Sequence, residues 1–112
     1  MDPDRAYLLD MLIAAGRAMA AAEGRLRTDL DNDTDFQAIA YWHLCVLGEA
    51  AGRVSEEFRE AHRDLRWHQV IGLRNRLIHG YGVIDNDIVW EVIQTGLPRL
   101  IRQLEEFGVS RD

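Results

Sequence analysis

The segment from Arg74 to Tyr81 brings together side chains that could hold a phosphate and transfer protons. It reads Arg-Asn-Arg-Leu-Ile-His-Gly-Tyr, with four residues between Arg74 and His79. Histidine titrates near neutral pH and is the natural general acid or base. Arginine presents a fixed fork of donors to a charged phosphate. Asn75 could orient His79 or bind a phosphate oxygen. None of these roles needs a metal, and no His, Cys, Asp or Glu cluster has the spacing of metal ligands.

The apolar periodicity around this segment predicts a helix from about Trp67 to Gly80. At roughly 100° per residue, Arg74 falls in the middle of the apolar arc, and Asn75 and His79 are neighbours on its flank. An unpaired buried charge is costly, so Arg74 must meet either a carboxylate such as Glu49 or a cleft. The first alternative is structural and the second is functional, and the helical pattern favours neither.

Three further helices are predicted to position this segment. The first runs from about Pro3 to Arg27, and the acidic stretch 29–33 after it is read as a solvated loop. The second begins at Thr34, as N-cap of a capping box with Gln37, and continues to about Arg59. The last begins near Asp85 or Asn86 and contains Pro98, which should kink it or remove a hydrogen bond.

The second helix carries more apolar surface than one buried face requires. Its main stripe is widened by Trp42, Cys45 and Val46. A surface helix needs only one apolar stripe, so this helix should be buried on two sides, within the core or against a second subunit. The expected architecture is an all-α, up-and-down bundle of four to five helices.

Composition and charge exclude several classes of protein. The chain has 112 residues, 47% hydrophobic and 29% charged, which is typical of one globular domain spanning residues 1–112. No apolar run is long enough to cross a membrane. A single cysteine and an acidic start favour a cytoplasmic protein. The net charge of −6 disfavours nonspecific duplex binding. However, residues 59–81 hold five arginines against two acids, a local charge of +3 where a polyanion would bind.

The chain resembles the HepT-like toxins of the HEPN superfamily. The octapeptide from Arg74 to Tyr81 matches their R-x4-H-x-Y signature, and Gly48-Glu49-Ala50-Ala51 matches their GEA segment. The resemblance continues on both sides of the signature, at Trp67, Ile71, Gly72, Val83, Asp85, Trp90 and Leu97-Pro98. It covers nearly the whole chain.

The resemblance implies a HEPN-like homodimer and a metal-independent endoribonuclease without a cofactor. Such a protein is the toxin of a toxin–antitoxin pair, and its partner is a nucleotidyltransferase antitoxin of the MNT type. Carried onto this chain, Arg74 and His79 would be catalytic and Asn75 would support them. Two copies of the motif would line one RNA cleft. Tyr81 would be the tyrosine that the antitoxin modifies with AMP.

For two side chains near the motif, the residue pattern leaves alternative roles open. Arg76 is expected to face solvent and either to contact RNA phosphate or to make no functional contact. Glu49 could reach Arg74 or the other subunit, and a structural role is favoured over catalysis. The alternative for the whole chain is a noncatalytic helical module that binds a nucleotide or a nucleotidyltransferase partner, with Arg74 as its anchor.

Overall fold

The computed structural model describes residues 2–79 and 82–110, with only the backbone of His79. It confirms the predicted all-α fold. Two helices of 20 residues each, α1 (Pro3–Ala22) and α3 (Thr34–Arg53), pack against each other, and α1 also packs against a C-terminal helical stretch. That stretch comprises α7 (Asn86–Glu91), a π-helical segment (Val92–Gly96) and α8 (Leu97–Glu106). The shorter elements are α2 (Asp29–Asn32), α4 (Glu56–Ala61), α5 (Trp67–Ile71), α6 (Leu73–Leu77), β1 (Ile78–His79) and β2 (Val83–Ile84).

Hydrogen bonds at the start of α1 show the directions of the long helices. The Asp4 carboxylate accepts hydrogen bonds from the Ser55 backbone N–H at 2.7 Å and its hydroxyl at 2.6 Å. The Arg5 guanidinium donates to the Gly108 carbonyl at 2.8 Å. The start of α1 thus meets the chain just beyond the ends of α3 and α8. Helix α1 is therefore antiparallel to α3 and to the C-terminal stretch, as an up-and-down bundle requires.

The centre of the core lies between α1 and α3, which make the most extensive contact of the fold. Small residues alternate with larger ones on the facing sides, which lets the two helices approach closely while the larger side chains fill the gaps. The two helices contribute these fully buried residues to the core: Met11, Ala15, Ala18, Ala40, Leu44, Leu47 and Ala51. This packing holds α3 in place, so that α3 can support the elements that pack on its other side.

The first helix and its connection differ from the sequence prediction. Helix α1 ends at Ala22 rather than near Arg27, and Gly24 adopts a φ of 75° just beyond it. The expected loop at 29–33 contains the single helical turn α2. The N-cap of α3 is Asp33 and not Thr34, because the Asp33 carboxylate accepts from the backbone N–H groups of Asp35 and Phe36. With Asp33 as N-cap, the third helical residue is Phe36, so the expected capping box does not form, and the Gln37 amide instead donates to the Asn86 side-chain oxygen at 3.1 Å.

The predicted second helix is divided in two. Helix α3 ends at Arg53, and Val54 leaves the helical region with ψ at 137°. Ser55 then caps α4, its hydroxyl accepting from the Phe58 N–H at 3.1 Å. Since Asp4 holds both the backbone and the hydroxyl of Ser55, contact with α1 fixes the break.

The C-terminal stretch begins as predicted, and its hydrogen-bond pattern changes directly before Pro98. Asp85 is the N-cap of α7, and its carboxylate accepts from the N–H groups of Asp87 and Ile88. The helix widens into the π segment directly before α8, in which Pro98 occupies the first turn. Proline has no N–H to donate to the preceding turn, so a change of hydrogen-bond register there is expected. None of the described helices is long and apolar enough to cross a membrane.

Candidate active site

Gly48 allows α3 to come unusually close to the segment that carries the motif. A Cβ atom added to Gly48 would lie 3.0 Å from the Val70 carbonyl oxygen and 3.5 Å from that of Ile71. A larger residue would therefore push the backbone of α5 away from α3. The glycine of the GEA segment thus sets the distance between the core helix and the residues that lead into the motif.

Gly72 separates α5 from α6 without a loop. Its N–H donates to the His68 carbonyl at 2.9 Å, and its own carbonyl accepts from the Arg76 N–H at 3.0 Å. It therefore ends one helix and begins the next. Leu73 and Leu77, four residues apart, are buried and anchor one side of α6 to the core. Arg74, Asn75 and Arg76 lie on this short anchored helix.

The expected helix to Gly80 is wrong at its end. Helix α6 stops at Leu77, and Ile78 is extended with φ −110° and ψ 119°. Strands β1 and β2 then pair antiparallel, Ile78 with Ile84 and His79 with Val83. The Leu77 carbonyl accepts from the Asp85 N–H at 2.7 Å, which closes the hairpin. Asn75 and His79 are therefore not neighbours on one helix face.

Arg74 is exposed, and the expectation that it faces inward is also wrong. The break at Gly72 explains the difference. The prediction assumed that Val70, Ile71 and Arg74 belong to one continuous helix and therefore share one apolar face. Within α6 alone, Leu73 and Leu77 define the buried side, and Arg74 lies on its flank. The guanidinium thus needs no buried counter-charge.

Arg74 lines an open groove between α3 and α5–α6, together with Tyr41, Trp42, Cys45 and Glu49. Tyr41 lies beside the guanidinium. Burial and a hydrogen bond with the Cys45 thiol raise the pKa of Tyr41, and the positive charge of Arg74 opposes this shift. Sequence reasoning missed Tyr41, since nothing in its spacing connects it to Arg74. Two helices bring them together.

The remaining predicted site residues lie at or beyond this groove. Glu49 lines it but makes no ion pair with Arg74 within the described part of the chain, so its structural role stays a prediction. Asn75 and Arg76 are exposed on α6. The side chain of His79 and the whole of Tyr81 lie outside the described residues. Within the described ranges, no three His, Cys, Asp or Glu residues are grouped to hold a metal ion.

Comparison with known proteins bears on what this groove does. A family model described as Ribonuclease HepT-like matches residues 11–107. The chain is 27% identical over 101 residues to "Putative RNase MJ1380" of Methanocaldococcus jannaschii, covering 90% of this chain and 93% of that protein. It is 38% identical over 63 residues to "Putative RNase TTE0752" of Caldanaerobacter subterraneus subsp. tengcongensis, 56% of each chain.

A third relative is "Probable ribonuclease HepT" of Thermococcus cleftensis. It is 28% identical over 76 residues, which are 68% of this chain and 67% of that protein. No solved structure matches the chain. The family match extends from the middle of α1 to the end of α8 and includes the groove and the motif. The chain therefore belongs to the HepT-like family of ribonucleases.

Proposed function

We propose that the protein is a metal-independent endoribonuclease toxin whose catalytic residues are Arg74 and His79. The observation that carries this proposal is the setting of Arg74. Its guanidinium is exposed, lines an open groove and meets no carboxylate among the described residues. It is free to bind a phosphate, and the motif supplies a histidine on the adjoining strand.

The chemistry needs only groups that the RNA and these two residues provide. The RNA 2′-hydroxyl attacks the adjacent phosphorus, and the bond from phosphorus to the 5′-oxygen breaks. An imidazole takes the proton from the 2′-oxygen, and a proton is returned to the leaving 5′-oxygen. The products are a 2′,3′-cyclic phosphate and a 5′-hydroxyl. Arg74 stabilises the extra negative charge on the pentacoordinate phosphorus. DNA lacks the nucleophile and is not a substrate.

Two copies of the chain are proposed to form the working enzyme. Trp42 is 66% exposed and Ile39 is 47% exposed on α3. Large apolar side chains in this position favour a protein contact. Trp42 also lines the groove of Arg74. A second copy seated on this face would bring two motifs together and supply two histidines, one for each proton transfer.

The partner is proposed to be a nucleotidyltransferase antitoxin that attaches AMP to Tyr81. The phenol oxygen would attack the α-phosphate of a nucleoside triphosphate, and pyrophosphate would leave. On this proposal, the added group would bring bulk and negative charge into the RNA cleft and exclude RNA by occlusion and repulsion. A toxin of this kind would act on RNA in the cytoplasm.

The direct test is RNA cleavage by antitoxin-free protein in EDTA, with His79→Ala as the inactive variant. His68→Ala is the matched control, because His68 is an exposed histidine of the same basic segment. We expect cleavage by the wild type and by His68→Ala, with 2′,3′-cyclic phosphate ends, and none by His79→Ala. Absence of cleavage by protein whose mass shows no AMP on Tyr81 would instead favour a noncatalytic module that binds a nucleotide or the nucleotidyltransferase.

A further inference from the structure

A second groove lies between α5–α6 and the C-terminal helical stretch, with a volume of about 340 Å³. Three arginines from different elements line it. Arg66 precedes α5, Arg76 lies on α6 and Arg99 lies on α8. Arg66 and Arg76 both lie in the basic segment 59–81, but the sequence gives no indication that Arg99 lines the same groove.

The charge of this groove is not balanced by the protein. Glu91 also lines it, which leaves three positive charges against one negative. None of the three guanidinium groups forms an ion pair or hydrogen bond among the described residues, although the chain as a whole carries a net charge of −6. Like charges gathered in one groove repel one another, and an anion bound there would remove the repulsion.

The rest of the lining fits a chain-like ligand with charged and apolar parts. The floor is aliphatic, and Gln69 offers a further amide at the rim. One wall is the π segment, where Thr95 and Gly96 line the groove. The Thr95 hydroxyl donates to the Glu91 carbonyl at 2.9 Å, so this carbonyl oxygen has a hydrogen-bond partner at the widened turn. Single turns of π-helix occur frequently at functional sites.

The position of this groove relative to Arg74 indicates which kind of ligand the groove binds. Arg74 and Arg76 are two residues apart on α6 and point about 200° apart around it, so the two grooves lie on opposite sides of one helix. A helix with its side chains is about 10–12 Å across. We infer that Arg66, Arg76 and Arg99 form a second RNA subsite, which binds backbone phosphates of a single strand a few nucleotides from the bond that is cut.

This inference deepens the proposed function and rests on RNA being the substrate. It predicts that each arginine adds one phosphate contact to the binding of a long strand. For single-stranded nucleic acid, each such contact contributes about 0.7 to the slope of log affinity against log salt. The prediction can be measured without catalysis, since an RNA methylated on its 2′-oxygens lacks the nucleophile and is not cut.

The experiment measures fluorescence anisotropy of a labelled 2′-O-methyl oligouridylate of about 12 nucleotides, a length within the usual span of single-strand sites. Arg99→Gln should weaken binding about 3- to 10-fold and lower the salt slope by about 0.7. The triple variant Arg66→Gln, Arg76→Gln, Arg99→Gln should lower the slope by about 2. Arg102→Gln is the matched control, because it removes the same charge from α8 outside the groove.

A second readout uses cleavable RNA of two lengths. A strand of about 12 nucleotides can reach from Arg74 across α6 to the groove, whereas a trinucleotide is too short to occupy both sites. Arg99→Gln should therefore raise KM for the longer RNA by more than it raises KM for the trinucleotide. A purely structural effect of the substitution would change both substrates to the same extent.

The outcomes separate this inference from the proposed function. If the wild type does not cut RNA but Arg99→Gln still lowers the salt slope more than Arg102→Gln, the catalytic proposal fails and the subsite stands. If the wild type cuts RNA and the two variants bind alike, the subsite is wrong. Unchanged RNA binding with lost affinity for the nucleotidyltransferase would also overturn it and would assign the groove to a protein partner.

Discussion

The arginines at two regions of the molecule have opposite surroundings. At the corner formed by α2 and the starts of α3 and α7, each arginine meets carboxylates. Arg25 contacts Asp33 at 2.7 Å, and Arg27 contacts Asp31 at 3.1 Å and Asp87 at 2.7 Å. Asn86 also donates to Asp31 at 2.8 Å. These bonds link the α1–α3 connection to the start of the C-terminal stretch, so this corner uses its arginines to join elements.

The second region comprises α5, α6 and the facing part of α8. Arg66, Arg74, Arg76 and Arg99 lie here, and none meets a carboxylate among the described residues. Ten of the twelve described arginines form no ion pair, so these four are distinguished by lining the two grooves and not by the absence of a carboxylate alone. The comparison separates arginines that complete the fold from arginines that are left available for an anion.

The largest expected effect comes from exchanging one arginine of each region for alanine. Arg74→Ala should lower kcat/KM for RNA cleavage by about 10²- to 10³-fold, as expected when one donor to a transition-state oxyanion is lost. Its thermal midpoint should stay close to that of the wild type, because the side chain is exposed. Arg27→Ala should keep the cleavage rate of the wild type. Its free energy of unfolding should fall by about 1 kcal/mol, because the substitution removes two surface ion pairs.

Cleavage assays and urea unfolding of both variants, each at a temperature where the protein is folded, check this pair of effects. The distinction between the two regions fails if the unfolding midpoint of Arg74→Ala lies at a markedly lower urea concentration than that of the wild type and the midpoint of Arg27→Ala does not. Arg74 would then be a structural residue, and its activity loss would carry no information about catalysis.

The sequence predicted those features of the fold that depend on neighbouring residues. The N-cap at Asp85 and the disturbance at Pro98 arise from groups within a few positions, and both are confirmed. The early end of α3 was missed, because Ser55 is held there by Asp4, 51 positions away in the chain. The end of α6 at Leu77 was missed, since its carbonyl is taken by Asp85 after the hairpin.

The same distinction applies to the site. The spacing of Arg74 and His79 is visible in the sequence and led to the family that the comparisons confirm. Tyr41 and Arg99 gave no such signal, because they are distant from the motif in the chain and line its grooves only in the folded structure. Arg66 lies in the basic segment 59–81, but nothing in the sequence indicated that it shares a groove with Arg99. The exposure of Arg74 also needed the structure, since Gly72 interrupts the helix that the pattern draws as continuous.

A smaller effect is expected from the contact that holds the second region in place. Gly48→Ala should destabilise the protein by about 1 kcal/mol, because the new methyl group meets the Val70 carbonyl and the cost of overpacking exceeds the gain in helix propensity. It should also lower cleavage, since α5–α6 and Arg74 must shift. Gly52→Ala is the control for stability. Its methyl would lie 3.9 Å from the Ile71 side chain, so the helix gain should dominate and stability should rise.

Urea midpoints and cleavage rates of the two glycine variants check this prediction. Equal stabilisation by both substitutions would show that α5 can move away from α3 at little cost. In that case the unpaired arginines of the second region would not depend on a fixed distance between these helices.

The smallest expected effect is a dependence on pH that distinguishes a corner arginine, Arg25, from a groove arginine, Arg99. A hydrogen bond from Arg25, followed by one from the Phe36 N–H, lowers the pKa of Asp33 below its usual 3.8. A carboxyl group whose pKa is lower in the folded state contributes stability above its unfolded pKa and loses that contribution as the pH falls through the folded value. Arg25→Gln removes the first of these bonds.

The thermal midpoint of Arg25→Gln should therefore lie below that of the wild type at about pH 7, and the gap should narrow below about pH 3.8. It should not close completely, because the guanidinium also lies over the Phe36 ring, 5.0 Å from its centroid, and that contact does not need a charged Asp33. Arg99→Gln, from the unpaired region, should show no such narrowing. If both variants behave alike as the pH falls, the ion pair contributes nothing that distinguishes the corner arginines from those of the grooves.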